Sequence, residues 1–178
     1  ESGSAAAAAG GFTAVACMAN TQPCYDNRAV TEYIVRKAKN CGFVRVHPVG
    51  AISTGLKGTA LAEFGDMKSA GAVALSDDGK PVMNSHLMRM ALEYADSLDL
   101  PVISHCEDTD LSDGGLMNEG VTSTELGMPG IPAIAEETMI SRDILLAGYT
   151  DTAVHIAHVS TKGSVELIRH AKEKGIRV

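Results

Sequence analysis

Tryptophan is absent from this 178-residue sequence, and aromatic residues make up only 4% of it. Proteins that hold single-stranded nucleic acid stack its bases on aromatic side chains, so that class is disfavoured. No apolar run approaches the ~18 residues of a membrane-spanning helix. Basic residues are also in deficit, because 15 Lys+Arg against 22 Asp+Glu give a net charge of −7. Nucleic acid and anionic membranes both require a positive patch, so neither is an expected partner.

The four cysteines, at positions 17, 24, 41 and 106, form no CxxC pair. Their spacing predicts free thiols in a reducing compartment, which indicates the cytoplasm, rather than a disulfide framework. The first ten residues lack the basic segment of a signal peptide. Residues 5–9 are predicted to end a helix that stops at Gly10 and Gly11, so the chain is expected to begin inside an element and to be a fragment.

One pattern repeats along the chain: a short apolar run, a polar or glycine-rich turn, then an amphipathic stretch. The predicted strands are residues 12–18, 43–49, 72–75, 101–104 and 152–157, with another beginning at 176–178. The predicted helices are residues 28–39, 56–67, 84–98, 133–147 and 162–174. This alternation predicts a parallel sheet with right-handed crossovers. The apolar runs do not alternate in polarity, which predicts strands that are buried on both faces.

Two α/β architectures fit this pattern: an open doubly wound sheet and a (β/α)8 barrel. A barrel usually needs ~250 residues, so this chain would supply about five of its eight units. No GxGxxG or GxxxxGK[ST] motif follows a predicted strand, which disfavours dinucleotide and P-loop binding. No linker or low-complexity segment divides the chain, so one domain is expected.

Polar side chains follow the predicted strands at their carboxyl ends, where both architectures place active sites. Asn20 follows the first strand and Asp78 the third, while His105 and His158 follow the fourth and fifth. One carboxylate and two imidazoles are a common ligand set for a zinc-like ion. The local pattern leaves other roles open, since Asp78 precedes Gly79 and suits a turn, and His105 suits a core histidine.

The remaining histidines give weaker signals. His155 and His158 lie three residues apart on one predicted strand, so at most one of them is expected to face the site. His158 is the better candidate because it is nearer the carboxyl end. Three others are predicted to be structural or solvated: His47, His86 and His170.

A cysteine or serine nucleophile is not expected. Cys106 adjoins His105 on a strand end, so the two side chains should point to opposite faces. No GxSxG motif is present, and water activated by the metal is the expected nucleophile. The glycine-rich residues 107–132 are predicted to be a long irregular loop, either a substrate cover or a surface insertion.

Five stretches of the sequence, taken together, resemble the bacterial type I dihydroorotases of the amidohydrolase superfamily. They follow that family's order over essentially the whole chain, and SDDG, HCED and HVST at these separations are specific. The stretches are GGFTAVACMANTQP (10–23), SDDGKPVMNSHLMRMALEYA (76–95), PVISHCED (101–108), GMPGIPAIAEE (127–137) and HIAHVST (155–161).

The resemblance implies the barrel, with strands 2 to 6 and the start of strand 7, so that residues 1–178 form the central part of one metal-dependent amidohydrolase domain. It implies zinc-dependent, reversible cyclisation of N-carbamoyl-L-aspartate to L-dihydroorotate in pyrimidine biosynthesis, with one or two Zn²⁺ ions. Asp78 matches the carboxylate that often bridges two metals. His105 and His158 match ligands of the second metal, and Asn20 matches the residue that binds the substrate carboxylate.

Several family features have no counterpart in this sequence. The family's HxH pair and substrate-binding arginine are expected before residue 1, and its general acid/base aspartate beyond residue 178. The 178-residue chain alone is therefore expected to be inactive. Ala19 stands where the family usually has proline, which should only loosen a turn.

Other functions remain open at this point. Hydantoinases and allantoinases share the implied fold but normally carry lysine where SDDG lies, so Asp78 disfavours them. A metal-free scaffold for aspartate carbamoyltransferase would tend to lose the histidines that this chain keeps. A flavodoxin-like binding domain would leave the Asp and His pattern unexplained. A homodimer or a complex with aspartate carbamoyltransferase is the expected assembly.

Overall fold

The computed structural model describes residues 1–178, apart from the side chain of Cys41. Cys17, Cys24 and Cys106 are free thiols, as predicted, and the prediction for Cys41 lies outside the described residues. None of the helices in the described residues combines the length and the apolar character that a bilayer crossing requires.

The strands alternate with helices along most of the chain. The strands are β1 (Ala14–Cys17), β2 (Arg45–Gly50), β3 (Ala74–Leu75), β4 (Val102–Ser104), β5 (Met117–Asn118), β6 (Gly130–Ile131) and β7 (Val154–Ile156). The helices are α1 (Ser2–Ala9), α2 (Arg28–Cys41), α3 (Phe64–Ala70), α4 (Ser85–Ser97), α5 (Thr109–Ser112), α6 (Val121–Glu125), α7 (Ile134–Thr150) and α8 (Lys162–Glu173).

The main sheet is the arc of a barrel. Within the described residues, five parallel strands pair in the order β1-β2-β3-β4-β7, which is also their order along the chain. A doubly wound sheet reverses its strand order at a switch point, and this sheet does not. Helices that follow neighbouring strands of this sheet also contact one another, α2 with α3, α4 with α7, and α7 with α8, as in the outer ring of a (β/α)8 barrel. The barrel expectation is therefore confirmed.

Helix α4 illustrates how local sequence positions the core. The Asn84 side chain accepts hydrogen bonds from the amides of His86 and Leu87 at 2.9 and 3.1 Å, which caps the first turn. The face predicted from the apolar spacing is buried against the sheet, and its members are Leu87, Met88, Ala91, Leu92 and Ala95. Phe64, Met67, Leu75 and Val102 complete this cluster.

The helix predicted at residues 56–67 is wrong. The structure has a short 3-10 turn at Thr54–Leu56 and then an irregular segment, with α3 beginning only at Phe64. Gly55 and Gly58 both have a φ of 63°, which a continuing helix does not allow. The Ala62 amide donates to the Ile52 carbonyl, so the segment closes as a loop whose apolar side chains fill the core.

Two more expectations are corrected at the ends of strands. Residues 176–178 form no strand in the described chain, because Gly175 turns the chain after α8 and one hydrogen bond, from the Val154 amide to the Arg177 carbonyl, is too little for a ladder. Residues 107–132 are not irregular throughout, since they contain α5 and α6 and the parallel pair β5-β6.

The expectation of strands buried on both faces holds for only part of the sheet. It is confirmed for β3 and nearly so for β4, at the centre. In β1, β2 and β7, alternate residues such as Ala16, His47 and His155 are exposed. The helices cover one face of the sheet, while the opposite, concave face carries these exposed residues in the described chain.

The assignment of the core predicts that truncating two different leucines lowers the free energy of unfolding by very different amounts. Leu92→Ala removes a side chain that is 1% exposed and should lower the free energy of unfolding by about 2–5 kcal/mol. Leu145→Ala makes the same change at a position that is 68% exposed and should cost less than about 0.5 kcal/mol. Urea denaturation of the full-length protein measures both values, and equal losses would contradict the assigned core.

Candidate metal centre

Three side chains converge beyond the carboxyl ends of β3, β4 and β7. Asp78 Oδ1 lies 3.7 Å from His105 Nδ1 and 3.6 Å from His158 Nε2. The two imidazoles are 2.8 Å apart at these same nitrogens. In the described residues, these three side chains form a group that could hold a metal ion. They are the same three residues that the sequence predicted as metal ligands.

These donor atoms fit a zinc ion. Zinc binds imidazole and carboxylate at about 2.0–2.2 Å, which separates tetrahedral ligand atoms by about 3.3–3.6 Å. The distance from the carboxylate to His158, 3.6 Å, is at the upper end of this range, and the distance to His105, 3.7 Å, is about 0.1 Å above it. The imidazole pair is closer, and an opening of about half an ångström brings it into range. One carboxylate and two neutral imidazoles are also the chemistry that zinc prefers.

Glu107 orients the first histidine. Its Oε2 lies 3.2 Å from His105 Nε2. A carboxylate oxygen accepts hydrogen bonds, so this contact suits a proton on Nε2 and leaves Nδ1, the atom that faces Asp78, as the nitrogen that could bind a metal. The sequence reading missed Glu107, although its position two residues after His105 was a signal for it.

The second histidine reaches the site through an unusual backbone conformation. His158 has a φ of 36°, in the left-handed region that costs most residues energy. Strand β7 ends at Ile156, so the alternation assumed for His155 and His158 does not extend to His158. The premise that both lie on one strand is therefore wrong, although the choice of His158 over His155 agrees with the geometry. His155 is exposed and does not belong to the cluster of Asp78, His105 and His158. The three histidines predicted to be structural or solvated are also exposed and outside this cluster: His47, His86 and His170.

Asp78 is held in place by its neighbour. Asp77 is 2% exposed and accepts hydrogen bonds from the amides of Ile52 and Ser53 at 2.7 and 3.0 Å, and from the Ser53 hydroxyl. Burial raises the pKa of Asp77, and these hydrogen bonds oppose that rise. The two aspartates of the SDDG stretch therefore have different tasks: Asp77 fastens the strand end, and Asp78 faces the histidines.

Asn20 and a nearby cavity complete the site. Asn20 Nδ2 donates a hydrogen bond to Asp78 Oδ2 at 3.1 Å, so the structure brings this fourth predicted residue to the cluster. A cavity of about 320 Å³ adjoins His105 and His158, with Met117 and Ile131 in its wall. The segment 107–132 thus forms part of the wall beside the donors, and a volume of this size suits a small molecule. A larger groove of about 620 Å³ lies between α7 and α8, away from the donors.

Cys106 points away from the metal donors, as expected. Its Sγ lies 3.3 Å from Ser104 Oγ and 3.7 Å from Asp143 Oδ2, on the helical side of the sheet. Burial, with a further contribution from Asp143, raises the pKa of the Cys106 thiol to about 12. The thiolate needed for nucleophilic attack is therefore scarce at neutral pH.

The strand order and the single helical layer are those of a (β/α)8 barrel, and the donor groups lie at its carboxyl rim. A family model described as "Dihydro-orotase-like" matches residues 1–164. The chain belongs to the dihydroorotase-like family.

Individual relatives agree with this assignment. The chain is 64% identical over 178 residues to a dihydroorotase of Syntrophus aciditrophicus and 60% identical over 178 residues to one of Acetivibrio thermocellus. Both alignments cover 100% of this chain and 42% of the relative, so the chain spans less than half the length of these proteins.

Solved structures share the fold at lower identity. A D-hydantoinase superposes with a TM-score of 0.73 at 21% identity, covering 100% of this chain and 40% of the other. The L-hydantoinase of Arthrobacter aurescens gives 0.70 at 21% identity, covering 97% and 40%. These similarities support the assigned fold, in which this chain forms a segment of a larger barrel.

The position of Cys106 predicts slow alkylation. At pH 8.5, a pKa about three units above that of a free thiol leaves about a thousandfold less thiolate, and burial adds a steric barrier. Iodoacetamide should therefore modify Cys106 at least about a hundredfold more slowly in the folded protein than in urea. Peptide mass spectrometry follows the reaction, with the half-buried Cys17 as the comparison; equal rates in both states would contradict the buried position.

Proposed function

We propose that the full-length protein is a dihydroorotase, which interconverts N-carbamoyl-L-aspartate and L-dihydroorotate in pyrimidine biosynthesis. Residues 1–178 would be the central part of its single metal-dependent barrel domain. The observation that carries the proposal is the convergence of Asp78, His105 and His158 at the carboxyl rim. Membership of the dihydroorotase-like family supports this reaction over other metal-dependent hydrolyses.

Asp78, His105 and His158 would hold Zn²⁺, one or two ions in a complete site. The ion supplies a Lewis acid that polarises the ring amide and lowers the pKa of water. The tasks of this chain's own residues follow from their contacts. Glu107 would accept a hydrogen bond from His105 Nε2, and Asn20 orients Asp78 with one N–H while its amide keeps a second N–H for the substrate carboxylate.

The remaining parts of the reaction fall to residues outside this sequence. The proposal assigns the general acid/base to an aspartate and part of the substrate charge to an arginine, neither of which this chain supplies. The wall formed by residues 107–132 would limit the access of water beside the substrate. The proposed setting is the cytoplasm, with a homodimer or a complex with aspartate carbamoyltransferase as the assembly.

Zinc content tests the proposed ligands. His105→Ala and His158→Ala should each remove about one zinc per chain from the full-length protein, because two remaining donors hold the ion poorly. His86→Ala changes an exposed helical histidine and should leave the zinc content unchanged. Elemental analysis after gel filtration measures the content. Unaltered zinc in both ligand variants would contradict the proposed site.

A substrate panel tests the reaction. The full-length zinc-loaded protein should hydrolyse L-dihydroorotate and cyclise N-carbamoyl-L-aspartate. Its kcat/KM for hydantoin and allantoin should be at least about a hundredfold lower, because a pocket built for a carboxylate loses a charged hydrogen bond with either analogue. Preference for hydantoin or allantoin would instead indicate a hydantoinase or allantoinase. A full-length protein that holds no zinc and turns over none of the four compounds would favour the metal-free scaffold.

A further inference from the structure

Helix α7 directs three charged side chains toward the sheet. Glu136 and Asp143 are seven residues apart, close to two helical turns, so they lie on the same side of the helix. Arg142 is next to Asp143 and only 16% of its side chain is exposed. None of the three belongs to the metal-donor cluster, yet each contacts a segment that bears a donor.

Glu136 holds the segment that follows His158. Its Oε1 accepts the amide of Ser160 at 2.8 Å, and its Oε2 accepts the amide of Thr161 at 3.0 Å and the hydroxyl of Ser164 at 2.6 Å. Burial alone would raise the pKa of Glu136, but these hydrogen bonds outweigh it and lower the pKa, so the group is ionised at neutral pH. His158, in its left-handed conformation, lies just before the residues that are held.

Asp143 holds the strand end that bears His105. Its Oδ2 accepts the hydroxyl of Ser104 at 2.6 Å and lies 3.7 Å from Cys106 Sγ. Ser104 and Cys106 flank His105 on both sides. The contacts of these two residues with Asp143 therefore fix the backbone on either side of His105, whose own side chain lies beside Asp78 and His158.

Arg142 connects the same helix to the segment after Asp78. Its Nη1 donates to the carbonyls of Val82 and Met83 at 2.7 and 3.2 Å, and its Nε donates to Asp143 Oδ1 at 2.8 Å. Asp143 is 0% exposed, so its charge depends on this partner. Burial raises the pKa of Asp143, and Arg142 opposes that rise.

We infer that α7 is the positioning element of the metal centre, with Glu136, Arg142 and Asp143 as positioning residues that set the separation of the three ligands. The inference rests on the proposed zinc site. The segments bearing Asp78, His105 and His158 come from three different βα units, and in the described residues α7 contacts all three through charged groups. Loosening either carboxylate contact lets one imidazole move away from the position that the ion requires.

The test uses Glu136→Gln and Ser104→Ala in the full-length protein. Glu136→Gln keeps the shape of the side chain but removes the charge that holds residues 160 and 161. Ser104→Ala removes the hydroxyl bound by Asp143 without breaking the buried ion pair, so it disturbs the fold less than a change of Asp143 itself would. The matched control is Glu137→Gln, which removes the same charge from the adjacent residue. The Glu137 carboxylate packs against Gly163 of α8, but in the described residues it makes no hydrogen bond to residues 158–161.

The affinity for zinc is measured by competition with a chromophoric chelator. The ion of interest is the one that the His105→Ala variant loses. Both variants should bind this ion at least about tenfold more weakly than the parent, as residues that orient ligands typically do, while Glu137→Gln matches the parent. The visible spectrum of the Co²⁺-substituted protein should also change in both variants and not in the control. Urea denaturation identifies any variant that is merely unstable, since instability alone leaves the Co²⁺ spectrum of the folded fraction unchanged.

The outcomes separate this inference from the function it rests on. If the parent binds zinc and both variants keep its affinity and Co²⁺ spectrum, α7 does not position the ligands and the inference is wrong. A control variant that weakens binding as much as the other two overturns it as well. If the parent itself binds no zinc, the proposed metal centre fails, and the inference fails with it.

Discussion

Parallel pairing of consecutive strands is the constraint on which the rest of this structure depends. In the five-stranded sheet the strands pair in their order along the chain, β1-β2-β3-β4-β7, and all four pairings are parallel, so these strands run in one direction and end at the same rim. Residues that are far apart in sequence but follow a strand directly are thereby brought together, as Asn20, Asp78 and His105 are. The helices cover one face of the sheet and do not cover the rim where the strands end. Polar side chains can therefore occupy that rim.

Carboxylates that are buried or half-buried turn that general placement into a defined geometry. Asp77, Glu136 and Asp143 each lie close to a strand end, and each accepts hydrogen bonds from backbone amides, hydroxyl groups or an arginine. Removing a carboxylate from water is unfavourable unless such partners replace the water. The partners are fixed parts of the fold, so the same hydrogen bonds that compensate for burial also limit the movement of the adjacent ligands.

Much of this arrangement could be predicted from the sequence, and the failures have specific causes. Apolar spacing identified the buried face of α4, and the strand ends identified the donor cluster. The helix expected at residues 56–67 failed because its apolar residues fill the core from a loop that Asp77 holds, a contact across 24 residues that periodicity does not contain. The conformation of His158 and the inward charges of α7 are also tertiary effects, visible only once the strand ends and the helix are adjacent.

The spread of the ligands along the chain has a consequence for the order of folding. Asp78 and His158 are separated by 158 − 78 = 80 residues, and β4 and α7 lie between them. Closing so long a loop costs entropy before any donor meets another, so the cluster forms late, after α7 has docked on the sheet. A metal ion held by these three side chains would therefore stabilise a barrel segment that has already formed, because the complete donor set does not exist before then.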